Sequence, residues 1–222
     1  MGELAVLALV GGLLAMDGTA VGQFMVSRPL VAGTLTGWML GAPELGFLIG
    51  TILEIYLLVE FPVGGARFPE GSTATVIAVA SAADPGTAGA LALGLATGLV
   101  FGQVGGVSVT AMRMLNARVV PVPRAPEGSL APGAIVRAHL AGIVLDFARG
   151  AGITLVGVVA GRFAVARLAP AWPLHLPDTR SLLLLGGVVS LGILVRSFGG
   201  LRRRLGLLGA GAGAGLLLGW LL

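Results

Sequence analysis

Ionisable and amide side chains interrupt an otherwise apolar stretch between residues 17 and 70. They are Asp17, Gln23, Arg28, Glu44, Glu54, Glu60, Arg67 and Glu70. A charged side chain at the centre of a bilayer costs about 2.5–3.5 kcal/mol on insertion scales, so it is normally paired, placed at an interface or turned toward a cavity. Carboxylates and amides at such positions hydrogen-bond to vicinal hydroxyls without requiring a charged ligand. The pattern therefore predicts a binding site for a polyhydroxyl compound.

Two groups of helix-breaking residues lie in the same part of the chain. Arg28 precedes Pro29, and Gly64-Gly65 stands between Pro62 and Pro69. Proline removes a backbone donor and disfavours helix at the residue before it. Irregular backbone at membrane depth is tolerated where it lines a cavity, and transporters place substrate sites at such breaks. Residues 17–82 are thus predicted to be a region of broken, re-entrant helices that carries the substrate site.

Glu54 is the first candidate for substrate contact, because it is the only charged residue between Leu45 and Val59. Its alternative role is a buried ion pair with Arg28. Gln23 and Arg28 flank the first break and are also predicted substrate contacts. Arg28 has the alternative of anchoring the break by binding carbonyl oxygens.

Glu70 and Asp17 complete the predicted substrate-binding set. Glu70 follows Pro69 and precedes a stretch that can open a half-helix, whose first amides would point into the cavity. Asp17 follows an uncharged run and is either a site group or a helix end at the interface. Glu44 and Glu60 lie near helix ends and are predicted to be interfacial.

His139 and Asp146 are seven residues apart in a later apolar segment, 133–161, that Arg137 and Arg149 also interrupt. That spacing places both on one face of a helix. A buried polar contact is the preferred interpretation, and a proton relay is the alternative.

The elements that position these groups must be membrane helices. The 222 residues are 56% hydrophobic and 11% charged, with a mean hydropathy of +0.99. At about 20 apolar residues per spanning helix, the length leaves room for roughly seven to nine membrane elements. The expected fold class is an all-α, polytopic membrane helical bundle formed by a single domain, residues 1–222.

Uncharged runs at 4–16, 29–43, 85–112, 181–195 and 205–222 predict spanning or half-spanning helices. The longest would extend about 42 Å as a helix, enough to cross a bilayer with some tilt. Glycines recur every fourth residue in three of these runs, as Gly33/Gly37/Gly41, Gly94/Gly98/Gly102 and Gly211/Gly215/Gly219. Such faces allow close helix packing in membranes, either within one chain or between subunits.

A proline- and arginine-rich stretch at 113–136 is predicted to be a cytoplasmic loop. The positive-inside rule places it on the same side as the arginine cluster 202–204, with a short outer loop at 169–179. The 14 basic residues are all arginine and are scattered between apolar runs, which argues against binding to nucleic acid. Cysteine is absent and the two histidines lie far apart, so we expect no metal site and no cofactor.

The segment GQFMVSRPLVAGTLTGWMLGAPELGFLIGTILEIYLLVEFPVGGARFPEG resembles the IIC subunit of the mannose/sorbose family of phosphotransferase permeases. The resemblance is carried by the Arg-Pro step at Arg28, the glycine ladder, the Gly50-to-Glu54 step and the Gly64-to-Glu70 step. Outside this segment, the chain is similar to the family mainly in hydropathy and helix order.

The resemblance implies a multi-pass subunit of the cytoplasmic membrane that moves a hexose-type sugar together with a IID subunit, in an oligomeric complex. Soluble IIA and IIB subunits would phosphorylate the sugar, and this chain would not be catalytic by itself. The sequence shows no phosphate loop and no nucleophile constellation. An ion- or proton-coupled secondary transporter and a noncatalytic membrane scaffold subunit are the alternatives.

Overall fold

The computed structural model describes residues 2–58, 67–83, 87–119 and 132–197, with short stretches at 205–206, 209–211, 213–214 and 217. The described residues are folded into helices without strands. Within the four longer of these ranges, seven α-helices follow one another: α1 Gly2–Thr19, α2 Pro29–Met39, α3 Pro43–Leu57, α4 Gly71–Ala82, α5 Ala88–Val119, α6 Pro132–Leu168 and α7 Leu176–Ser197. The predicted all-α membrane bundle is confirmed.

Four of the helices, α1, α5, α6 and α7, are long and apolar enough to cross a membrane. They contain the uncharged runs 4–16, 85–112 and 181–195, apart from the first three residues of the second run. Their outward faces carry many exposed large apolar side chains, as a lipid-facing surface requires. The protein is therefore a multi-pass membrane protein.

The remaining helices, α2, α3 and α4, are too short to cross a 30 Å hydrocarbon core. Their 11, 15 and 12 residues extend roughly 17, 23 and 18 Å. Pro29 and Pro43 occupy the first helical position of α2 and α3, where the missing N–H costs nothing. The predicted helix break at Arg28-Pro29 is confirmed, whereas Pro62 and Gly64-Gly65 lie outside the described residues.

Helices α2 and α3 form a tight hairpin whose contact surface is glycine. A Cβ atom on Gly33 would lie 2.5 Å from the carbonyl oxygen of Gly46, and one on Gly37 would lie 2.7 Å from the Gly46 Cα. Gly50 meets the start of α2 in the same way, 2.6 Å from the Pro29 carbonyl oxygen. Gly41 has a φ of +72° in the turn, a conformation that favours glycine. The first glycine ladder therefore packs the hairpin, except for its last member, which makes the turn.

Helix α4 lies at the centre of the bundle, with every residue from Ser72 to Ala82 buried. It packs on α5 through the second ladder, because Gly94, Gly98 and Gly102 face its alanines. In the third ladder, a Cβ added to Gly211 would meet no atom within 4 Å, and Gly215 and Gly219 lie outside the described residues. Packing within the chain thus explains two of the three ladders.

Replacing Gly98 by Ala is expected to lower the free energy of unfolding by about 1–3 kcal/mol, the usual cost of overpacking. The new Cβ would lie 2.6 Å from the Ala74 carbonyl oxygen and 2.7 Å from the Ala78 Cβ. Gly152→Ala in α6 is the matched control, because nothing lies within 4 Å of its Cβ position. The measurement is the thermal unfolding midpoint in detergent, and equal midpoints for the two variants would contradict the packing of α4 on α5.

The predicted loop at 113–136 is shorter than expected at both ends. Helix α5 continues through Arg113 to Val119, and α6 begins at Pro132. Of the predicted loop, residues 120–131 lie outside the described residues. Residues 113–119 contain no proline to stop α5, and Pro132 is tolerated in the first turn of α6. The cytoplasmic location of this segment stays a prediction, and the arginine cluster at 202–204 lies outside the described residues.

Candidate functional site

A cavity of about 150 Å³ lies where the first turns of α2 and α4 meet the last turns of α1 and α3. The N-termini of two short helices therefore face one space, with polar backbone groups that have no partner inside their own helix. The described residues that line the cavity are Gly18, Thr19, Ser27, Arg28, Pro29, Glu54, Leu57, Phe68, Pro69, Glu70, Gly71 and Ser72. Three of the five predicted site residues, Arg28, Glu54 and Glu70, are among them.

One wall of the cavity is an ion pair between Arg28 and Glu54. Arg28 has extended backbone as the N-cap of α2, and Glu54 comes from the last turn of α3. The second oxygen of Glu54 accepts a long hydrogen bond, 3.3 Å, from the Leu30 N–H in the first turn of α2. The side chains are 42% and 19% exposed, so the pair is accessible from the cavity. Glu54 consequently forms the predicted ion pair with Arg28, but the pair is partly exposed rather than buried, and Glu54 also lines the cavity.

Glu70 also lines the cavity, and Arg149 donates two hydrogen bonds to its carboxylate. The Arg149 Nη2 donates to Oε1 at 2.7 Å and the Nη1 donates to Oε2 at 2.8 Å. Thr73 donates a further bond to Oε2 at 3.0 Å. The Arg149 and Glu70 side chains are 7% and 6% exposed, so this bidentate pair is buried.

Arg149 also connects Glu70 to a second buried carboxylate. Its Nε donates to Asp146 Oδ1 at 2.8 Å, and its Nη1 donates to Ser108 Oγ at 3.0 Å. The other oxygen of Asp146 accepts a hydrogen bond from the hydroxyl of Thr19, at the end of α1. This network joins α1, α4, α5 and α6, and two carboxylates share one guanidinium in it.

Close helix contacts make room for the network. Gly105 on α5 leaves space for Glu70, since a Cβ there would lie 2.6 Å from Glu70 Oε2. On α1, Gly11 and Gly12 pack against α6, which brings Thr19 beside Asp146. Small residues at these crossings allow the backbones to approach as glycine-rich membrane helices do.

Asp17 and Gln23 lie outside the cavity lining among the described residues. The Asp17 carboxylate accepts hydrogen bonds from the backbone N–H groups of Phe24, at 2.7 Å, and Ser27, at 2.9 Å. Asp17 therefore stabilises the connection between α1 and α2, at the end of which Arg28 lies at the cavity. Gln23 is exposed and has a φ of +54°. Their direct contact with a substrate stays a prediction.

Sequence reasoning missed Arg149 as a site residue, although it noted that Arg149 and Asp146 interrupt an apolar segment. Charged residues within an apolar membrane segment need partners, and this requirement could have identified Arg149 as a candidate. His139 is exposed, and the contacts of Asp146 are with Arg149 and Thr19. The preferred buried polar contact is therefore confirmed for Asp146, which is 4% exposed, and is wrong for His139, which is exposed.

Charge determines what this cavity can bind. Arg28 pairs with Glu54 at the cavity, whereas Glu70 shares Arg149 with Asp146, so carboxylates outnumber guanidinium groups among these residues. A neutral ligand with several hydroxyls would meet carboxylate acceptors, the Arg28 guanidinium as a donor and the N–H groups at the start of α4. The arrangement suits hydrogen bonding to an uncharged polyol.

The sequence matches the family described as "PTS system sorbose-specific iic component" over residues 1–193. The "PTS system mannose-specific EIIC component" of Escherichia coli (strain K12) is 35% identical over 72 residues, which are 32% of this chain and 27% of that protein. The "PTS system sorbose-specific EIIC component" of Lacticaseibacillus casei is 33% identical over 60 residues, which are 27% of this chain and 22% of that protein. The matched segments thus span about a quarter of the length of these curated relatives.

A solved structure described as "Structure of membrane protein" has the same fold. It superimposes with a TM-score of 0.68 at 22% sequence identity, covering 98% of this chain and 92% of that chain. This similarity supports the arrangement of long and short helices described above.

Proposed function

The chain belongs to the family of sorbose-specific IIC components of the phosphotransferase system, and from that premise we propose that it carries a hexose-type sugar across the cytoplasmic membrane. A IID membrane subunit would accompany it in an oligomeric complex, and IIA and IIB subunits would supply the phosphoryl group. The chain itself would bind and move the sugar, with the chemistry of phosphorylation performed on other subunits.

The cavity between α2, α3 and α4 is the observation that carries this proposal. Its volume is about 150 Å³, and its lining includes the hydrogen-bonding groups of Arg28, Glu54 and Glu70. Glu54 and Glu70, each hydrogen-bonded to an arginine, have oxygens that can also accept hydrogen bonds from sugar hydroxyls. The short helices around the cavity are the broken elements at which transporters bind substrates.

The expected result in cells that contain the complete system is intracellular sugar phosphate after uptake of labelled sugar. Mannose and sorbose are the first sugars to test, because the curated relatives are named for them. Uptake should require the phosphoryl-donating subunits and should persist when ion gradients are collapsed, since phosphorylation rather than an ion gradient would trap the sugar. Labelled products inside the cells are separated into free and phosphorylated sugar.

An ion- or proton-coupled transporter is the competing function, and one observation favours it. Asp146 and Glu70 share a single guanidinium, so the buried network carries one carboxylate more than it has arginines. A proton or cation could balance that charge. Free sugar that accumulates only with an ion gradient would select this alternative and contradict the phosphotransferase proposal.

A further inference from the structure

The first turn of α4 presents unused hydrogen-bonding groups to the cavity. Glu70 is the N-cap residue, yet its side chain makes no capping bond, because its carboxylate binds Arg149 and Thr73. The first backbone bond of the helix runs from the Ala74 N–H to the Glu70 carbonyl. The N–H groups before Ala74 therefore have no acceptor within the helix, and two of the residues that carry them, Gly71 and Ser72, line the cavity.

The hydroxyl of Ser72 is the second observation, and it is independent of the helix terminus. Ser72 is only 4% exposed and lines the cavity. Among the described residues its hydroxyl has no hydrogen-bond partner. The neighbouring hydroxyls of Thr73 and Thr75 are both bonded, to Glu70 Oε2 at 3.0 Å and to the Gly71 carbonyl at 2.6 Å. Because Ser72 lines the cavity and its hydroxyl is not bonded to these neighbours, that hydroxyl is available to a ligand in the cavity.

We infer that Ser72, together with the free amides of the first turn of α4, recognises one hydroxyl of the transported sugar and so determines specificity at that position. This inference rests on the proposed function. A serine hydroxyl both donates and accepts, as a sugar hydroxyl does, and the amides donate to its oxygen. Glu70 beside them is an acceptor only. An anionic group would face the carboxylates of Glu54 and Glu70, so this corner of the cavity suits a neutral oxygen.

Removal of the Ser72 hydroxyl should weaken binding of the sugar that carries the recognised group, because a site built to bond a hydroxyl discriminates against its absence. Ser72→Ala should lower affinity roughly three- to tenfold, the value of one hydrogen bond. One monodeoxy derivative of that sugar should bind the variant and the original protein equally, since both partners of the missing bond are then absent. The other monodeoxy derivatives should keep the full difference.

The experiment measures equilibrium binding of labelled mannose, labelled sorbose and the monodeoxy series of whichever binds, to the full chain in membranes with its partner subunits. Ser81→Ala is the matched control. Ser81 lies on the same helix, is 1% exposed and also has an unbonded hydroxyl, yet it is outside the cavity lining. Ser72→Cys, with similar volume and a weak hydrogen-bonding group, repeats the comparison if the alanine variant lowers the yield.

Each outcome decides the question. A loss of affinity confined to Ser72 and cancelled by one deoxy position supports the inference. Normal binding by both Ser72 variants, or an equal loss for the whole deoxy series, would overturn it while leaving sugar transport intact. Failure of the original protein to bind or take up any of the sugars would instead remove the proposed function and this inference with it.

Discussion

Arg149→Met is expected to remove most of the folded protein from the membrane. The substitution deletes the guanidinium that donates to Glu70, Asp146 and Ser108, and it leaves two carboxylates buried without a cationic partner. Removing one partner of a buried ion pair typically costs about 3–5 kcal/mol. That is a large part of the net stability of a domain, which is roughly 5–15 kcal/mol. Membrane abundance and the thermal unfolding midpoint in detergent measure the effect.

Arg167→Met provides the matched control for this prediction. Arg167 lies on the same helix, α6, but it is exposed and contacts only the ring of Phe163, at 5.2 Å, among the interactions described. A cation–π contact at an exposed site contributes about 0.5–1 kcal/mol, so this variant should accumulate nearly normally. Equal abundance of the two variants would show that the network around Arg149 does not hold α1, α4, α5 and α6 together.

The helix breaks were predictable because proline acts locally. Pro29 begins α2 and Pro69 stands just before α4, as predicted. The break before Pro43 was not predicted, because the uncharged run 29–43 was interpreted as one helix. The packing role of the first two glycine ladders could also be predicted, because a four-residue spacing places small residues on one helix face, where another helix can approach closely. Membership in the IIC family, predicted from the segment around Glu54, is confirmed by the match over residues 1–193.

The partner of Glu70 could not be predicted from the sequence. Arg149 is 79 residues further along the chain. Its contact with Glu70 depends on the register at which α6 packs against the neighbouring helices. Gly11 and Gly12 of α1 pack on Thr154 and Phe147 of α6 and so help to set that register, but a glycine in the sequence does not indicate which helix it will contact. For Glu54 the sequence offered ligand contact and an ion pair as alternatives, and the structure shows why they were hard to separate. The ion pair stands at the cavity wall.

Glu54 is the residue at which substrate binding and folding can be tested separately. Its partner Arg28 is 42% exposed and Glu54 itself is 19% exposed. An ion pair with this access to solvent contributes about 0–1 kcal/mol to stability, well below the cost for a buried pair. Glu54→Gln also keeps the shape of the side chain and one oxygen acceptor. The variant should therefore reach the membrane in nearly normal amounts.

Sugar affinity of Glu54→Gln should fall by about 1.5–3 kcal/mol, the range for hydrogen bonds to charged groups, which is roughly a 10- to 150-fold increase in Kd. The amide loses one acceptor oxygen and turns a donor toward either Arg28 or the sugar. Glu44→Gln is the control, because Glu44 is exposed in the first turn of the same helix. Normal abundance with unchanged binding would exclude Glu54 as a substrate contact. Low abundance would instead assign Glu54 a structural role at the start of α2. There its carboxylate pairs with Arg28 and accepts the hydrogen bond from the Leu30 N–H.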